Sequence, residues 1–160
     1  METKVKEEKN IQKNNAPPPR PHAAMKRLDP LIGTWDIAGH ANGAEGEIYG
    51  RTNFEWIVSG FFMVQRFWMN FMGQKVQGIE VIGYDPTTKT FKSTVYSNSG
   101  INGPYYWDVK ENVISHWTEG SQFRGQLNAD GNILSGGWKP DKGKESETNI
   151  AYEATMTRVE

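Results

Sequence analysis

There is no cysteine in the chain, which excludes disulfides, thiolate-bound metals and a cysteine nucleophile. Histidine is scarce too. His22, His40 and His116 are the whole complement, and they show none of the short spacings that metal sites use. Neither a metal nor a cofactor is expected. No apolar stretch approaches the roughly 18 residues of a membrane-crossing helix, so membrane insertion is not expected. The opening residues Met1-Glu2-Thr3-Lys4-Val5-Lys6 lack the apolar core of a secretory signal, and the expected location is the cytoplasm. An excess of one charge sign is also missing. Seven Lys/Arg stand against four Asp/Glu through Asp29, and eleven against fifteen after it. Nucleic-acid surfaces need a basic stripe, so nucleic acid is not an expected partner. Ser59-Gly60 and Ser99-Gly100 do not form the Gly-x-Ser-x-Gly step between strand and helix that presents a serine nucleophile.

The chain does have turns at a steady rhythm. From Gly33 onward, aromatic-rich segments are broken at Asn42-Gly43, Ser59-Gly60, Gly73, Asp85-Pro86, Ser99-Gly100 to Gly103-Pro104, Glu111-Asn112, Glu119-Gly120, Asp130-Gly131 and Pro140-Asp141. A spacing of roughly 8–14 residues between turns is the mark of an antiparallel sandwich or closed barrel. The fold class is all-β: an up-and-down barrel of roughly ten strands, each pairing with its sequence neighbour because every connection is short. Residues 1–21, polar and ending in Ala16-Pro17-Pro18-Pro19-Arg20-Pro21, read as a disordered tail. Residues 22–160 form the barrel domain. Ala23-Ala24-Met25-Lys26-Arg27-Leu28 predicts a short helix that Pro30 stops, with Met25, Leu28, Leu31 and Ile32 plugging one barrel end. The second strand is expected from about 51 to 58, the sixth from 105 to 110 and the last from 148 to 159.

Alternation supports this reading. Tyr105, Trp107 and Val109 share one face of their strand, and Val113, Ser115 and Trp117 oppose Ile114, His116 and Thr118. The third strand departs from it. Phe61, Met63, Phe67, Met69 and Phe71 face one way, and Phe62, Val64 and Trp68 the other. A strand apolar on both faces is covered on both; the five-residue set is expected to face outward and to be covered by a second copy, giving a homodimer joined through this strand.

Gly33-Thr34-Trp35 opens the first strand and Arg158 closes the last. In this pairing the chain resembles the calycin superfamily of lipocalins and fatty-acid-binding proteins, whose barrels place a basic residue across the tryptophan of a Gly-x-Trp. The resemblance implies that Trp35 and Arg158 close one barrel end, through a cation–π contact of about 0.5–2 kcal/mol. Leu28, Leu31-Ile32-Gly33-Thr34-Trp35, Ile82-Gly83-Tyr84-Asp85-Pro86 and Thr90-Phe91 are similar to a mostly bacterial lipocalin-like family of unknown function over about residues 25–159. Its related branch, the nitrobindins, binds haem through a histidine on the last strand. No histidine occurs between Thr148 and Val159, so that haem site is not implied.

A barrel of this size can enclose a ligand. The candidate lining is aromatic: Trp56, Trp68, Tyr84, Tyr96, Trp107 and Trp117, together with Trp138. These side chains would also serve simply to fill the barrel. Arg66 and Arg124 lie mid-strand, and the likeness to lipid-binding barrels implies that such arginines hold a ligand carboxylate, with Tyr96 beside them. Outward-facing ion pairs are the plain alternative for both. Glu80 lies between Ile79 and Val81, placed to act as a base or a ligand hydrogen-bond partner, or to pair with Arg66 or Arg124. His116 would face either the lumen or solvent. The leading reading is a protein that binds a small hydrophobic or amphipathic molecule without chemistry. The alternatives are an enzyme of the same fold with Glu80 or His116 as general base, and an interaction module that takes no ligand.

Overall fold

The computed structural model describes residues 16–41 and 47–159. The first fifteen residues of the expected tail and the Asn42-Gly43 turn lie outside the described residues.

Ten strands close into one antiparallel barrel: β1 (Gly33–Ala41), β2 (Glu47–Ile57), β3 (Phe62–Phe71), β4 (Gln74–Asp85), β5 (Thr90–Ser97), β6 (Gly100–Lys110), β7 (Val113–Thr118), β8 (Ser121–Leu127), β9 (Ile133–Pro140) and β10 (Tyr152–Val159). Each pairs with its sequence neighbours, and β1 pairs with β10 from Thr34↔Val159 to Ala41↔Tyr152. Closure leaves no sheet edge exposed. The inner set on each strand follows from the two-residue period. On β1 it includes Trp35, Ile37 and Ala41, and on β4 Glu80 and Ile82, all buried.

Three boundaries differ from the sequence expectation, the first being that β2 begins at Glu47 rather than at about 51. The Gly103-Pro104 signal is not a turn but part of β6. Ser93 pairs with Tyr105 and Val95 with Asn102, so β6 carries one extra residue there. A bulge tolerates a proline, which brings no amide donor to the ladder. At the other end, β10 starts at Tyr152 rather than Thr148. Thr148 and Asn149 belong to a loop, where Asn149 Nδ2 donates to the carbonyls of Gly120 and Lys144 at 3.0 and 2.9 Å.

The N-terminal segment is a 3-10 helix, Ala23–Leu31, that runs through Pro30 rather than stopping before it. His22 Nδ1 caps it by accepting from the Ala24 amide at 3.1 Å. Met25, Leu28 and Leu31 are buried against Trp35, Phe54 and Phe91, which seals one end of the barrel. Arg27 locks the helix to β6 by donating to the Val109 carbonyl at 3.0 and 3.2 Å and pairing with Asp108. Trp35 Nε1 donates to the Leu31 carbonyl at 2.9 Å. The Arg158 guanidinium lies 4.1 Å from the centre of the Trp35 ring and donates to the carbonyls of Pro30, Gly131 and Ile32. Among the described residues, no helix is long and apolar enough to cross a membrane.

Strand β3 needs a correction. Its large set, Met63, Phe67, Met69 and Phe71, points into the barrel, with Met63 buried and the other three lining the lumen. Outside stand Phe62 and Trp68, which are exposed, and the covered Val64. The lumen therefore covers the richer face. Phe61 lies before the strand.

Candidate functional site

Above the plug the barrel is not filled. A cavity of about 630 Å³ opens at the end away from the 3-10 helix, lined by Phe67, Met69 and Phe71 of β3, Val76 of β4, Val95 of β5 and Tyr152 of β10. A smaller space of about 100 Å³ continues inward to Ile37, Phe54, Ile114 and Met156. The two share Gln65, Met69, His116, Trp138 and Tyr152, so they form one stepped cleft.

A polar cluster sits where they meet. Glu80 is 1% exposed, placed there because Ile82, two residues on, belongs to the core of the same inner face. Its Oε1 accepts from Ser93 Oγ at 3.1 Å and lies 3.1 Å from His116 Nε2. Ser93 Oγ in turn accepts from Trp107 Nε1 at 3.1 Å. An indole N–H can only donate, so the chain has a fixed direction, from Trp107 through Ser93 to the carboxylate. Seen from the other side, the carboxylate fixes an Nε2 proton on His116, which leaves Nδ1 outside this bond. The imidazole stacks on Trp107 with ring centres 3.7 Å apart and planes 18° from parallel. Tyr105 and Trp138 stand around it at 5.2 and 5.0 Å. Burial, and secondarily the Glu80 charge, pushes the Tyr105 hydroxyl above the usual tyrosine range. Burial does the same to Tyr152, with a smaller contribution from Tyr105. Both hydroxyls therefore stay protonated and neutral.

Such a cluster can accept a proton or a hydrogen bond from a bound molecule. Among the described residues, no group of three or more His, Cys, Asp or Glu is placed to hold a metal ion.

The residues singled out from sequence divide among several places. Glu80 and Trp107 meet at the polar cluster. Trp56 and Tyr84 belong to the sealed half: Trp56 Nε1 donates to Asp29 Oδ1 at 3.2 Å, and Tyr84 packs on Phe91 and His22. Arg66, Trp68 and Tyr96 line a broad groove on the outside of the barrel. Trp117 is also outside, stacked on Tyr106, and Arg124 is exposed.

The corrections have one cause. With Gln65 and Phe67 inward, the two-residue period sends Arg66 outward, where it pairs with Glu55. Phe123 and Leu127 do the same to Arg124. Neither arginine reaches Glu80, whose partners are His116 and Ser93. His116 faces the lumen, and Trp117 faces out.

Sequence reasoning missed Ser93, Tyr105 and Tyr152 as lumen residues. Tyr105 was legible, because it shares a face with Trp107 and Val109. Ser93 was not, because nothing marks a buried serine until its partners are known.

A family model described as a protein of unknown function, DUF1579, matches residues 18–130. No curated protein matches the chain. Among solved structures, the S-type phycobiliprotein lyase CPES from Guillardia theta is similar, at 12% identity over 87% of this chain and 94% of that chain, with a TM-score of 0.52. At that identity the likeness is one of fold. The family match spans more than half of the sequence, and the chain therefore belongs to DUF1579, a family of unknown function represented here by a closed, lipocalin-like barrel.

Proposed function

We propose that the protein binds a small apolar or amphipathic molecule in the barrel lumen and does not transform it. One observation carries this reading: a cavity of about 630 Å³, open at one end, that narrows onto the buried Glu80. Ligand sites combine apolar walls with polar groups that fix orientation, and here Gln65, Ser97, Asn102, Thr118 and Ser121 join the apolar residues in the lining. The Guillardia theta barrel supports the reading at the level of fold alone. The outer groove beside Trp68 and Tyr96 is larger, about 1100 Å³. It lies across the outside of a sheet and cannot surround a molecule. Native mass spectrometry of gently purified protein tests the proposal. A retained small-molecule mass, lost on denaturation, is expected. A chain with no adduct that also fails to take up naphthylmethanol would contradict it.

The Glu80–His116 contact of 3.1 Å favours a second reading, an enzyme in which one of the two acts as general base. Under that reading Glu80→Gln leaves a substrate's affinity nearly intact and removes its turnover.

The homodimer belongs here as well, moved to another surface. Tyr49, Trp68, Ile79, Tyr96 and Ile101 are all exposed on the outside of the barrel. A cluster of this kind is a natural self-association surface. Sedimentation at twice the monomer mass, reduced to the monomer by Trp68→Lys with Tyr96→Lys, is the expected result.

A further inference from the structure

Among the described residues that line it, the stepped cleft holds two carboxylates and one histidine, Glu80, Glu119 and His116, without a lysine or arginine. Four arginines are paired elsewhere, Arg27 and Arg158 at the plug, Arg51 on Asp36 and Arg66 on Glu55, and Arg20 and Arg124 are exposed. The cleft therefore offers a carboxylate and an imidazole at its base but no lysine or arginine cation.

Glu80 also has capacity to spare. Both of its contacts, with Ser93 and with His116, are made by Oε1, although an ionised carboxylate accepts at both oxygens. The side chain is almost wholly buried, and it lines the cavity. Aromatic rings stand around this point: Tyr105, Trp107 and Trp138 about His116, with Phe67 and Phe71 along the wall above. Ring faces attract cations. The tyrosine hydroxyls at this depth stay neutral and add no competing charge.

We propose that the lumen selects a flat apolar molecule bearing a cationic or hydrogen-bond-donating nitrogen, which Glu80 accepts, and discriminates against carboxylates and other anions. The inference rests on the binding reading above and gives its ligand a chemical class. A ligand anion would be buried beside Glu80 with no lysine or arginine to offset either charge, an arrangement of like charges that costs affinity. A donor nitrogen supplies what the free carboxylate oxygen lacks. The flat shape follows from the aromatic walls, where offset stacking brings the largest contact area.

The test is isothermal titration at neutral pH with three ligands on one skeleton: naphthylmethylammonium, naphthylmethanol and naphthoate. The ammonium is expected to bind at least about tenfold more tightly than the carboxylate, with the alcohol between them. Glu80→Gln keeps the shape and removes the charge, and is expected to compress the ammonium-to-carboxylate ratio to within about threefold. Naphthoate binding as tightly as the ammonium, or a ratio unchanged in Glu80→Gln, overturns the charge selection while leaving lumen binding in place. Failure of all three to bind overturns lumen binding and this inference together. If Glu80→Gln does not fold, the wild-type ratio decides alone.

Discussion

The two ends of the barrel use aromatic side chains for opposite purposes. At the sealed end, Trp35, Phe54 and Phe91 are 0–1% exposed. They pack on the 3-10 helix, and the indole N–H of Trp35 is satisfied by Leu31. At the open end, Phe67, Phe71, Tyr105, Trp138 and Tyr152 are only partly buried and surround space. On β1 the inner residues become smaller from plug toward mouth, in the order Trp35, Ile37, Gly39, and on β10 the small Ala154 separates Met156 from Tyr152 at the mouth. Gly39 also lies where a Cβ would meet the Glu153 carbonyl at 2.1 Å, so the close approach of β1 and β10 there requires glycine. Stability and function are thus divided along the barrel axis, with tight packing at one end and open volume at the other.

The largest effect should come from the sealed end. Trp35→Ala is expected to cost about 3–5 kcal/mol in urea unfolding, the range for a fully buried large aromatic. A double-mutant cycle with Arg158→Ala should return a coupling of about 0.5–2 kcal/mol, because the guanidinium lies over that ring. Coupling near zero would mean that Arg158 acts only through its carbonyl hydrogen bonds. Phe71→Ala at the mouth reverses the balance: a stability loss below about 1.5 kcal/mol, since the side chain leaves solvent only in part, with a measurable fall in naphthylmethanol affinity. Should Phe71→Ala destabilise as much as Trp35→Ala, the division between the ends would disappear.

Two smaller effects concern pH. The pKa values of Tyr105 and Tyr152 are raised in the folded state. Their contribution to stability is therefore complete below the unfolded value of about 10 and is lost as pH rises through the folded values. Tyr152→Phe should flatten the fall in stability on the alkaline side. At the sealed end, Lys92 and the Thr87 amide hold the Asp85 carboxyl down at about 2, below the ordinary 3.8. That contribution is present above pH 3.8 and lost as pH falls through about 2. Asp85 is a surface residue and solvent screens its pairing. Asp85→Asn should therefore change only slightly the slope of melting temperature against pH in acid.

The fold was legible because its signals are local. Turn residues and two-residue alternation mark strands without reference to anything distant, and short connections leave little choice of topology. The direction in which each face points was less legible. On β7 one face offers Val113 and Trp117 and the other Ile114 and His116, so hydropathy alone does not choose. The choice comes from β6, where Trp107 stacks on His116, a contact between strands. Arg66 and Arg124 were candidates for the lumen by likeness to lipid-binding barrels, yet the period that turns Phe67 and Phe123 inward turns both arginines out, as the alternative of outward-facing charges had it. The Glu80–Ser93–Trp107 chain joins three strands and has no signature in any one of them.

The most direct test of a ligand site at the open end is a map of where a ligand acts. Naphthylmethanol, which carries no charge, can be titrated into isotope-labelled protein and followed by amide NMR. The account predicts saturable shifts clustered around Phe67, Phe71, Val95, His116, Trp138 and Tyr152, with the amides of the sealed end and of the outer groove unmoved. Shifts centred on Trp68, Ile79 and Tyr96, or shifts that never saturate, would contradict it.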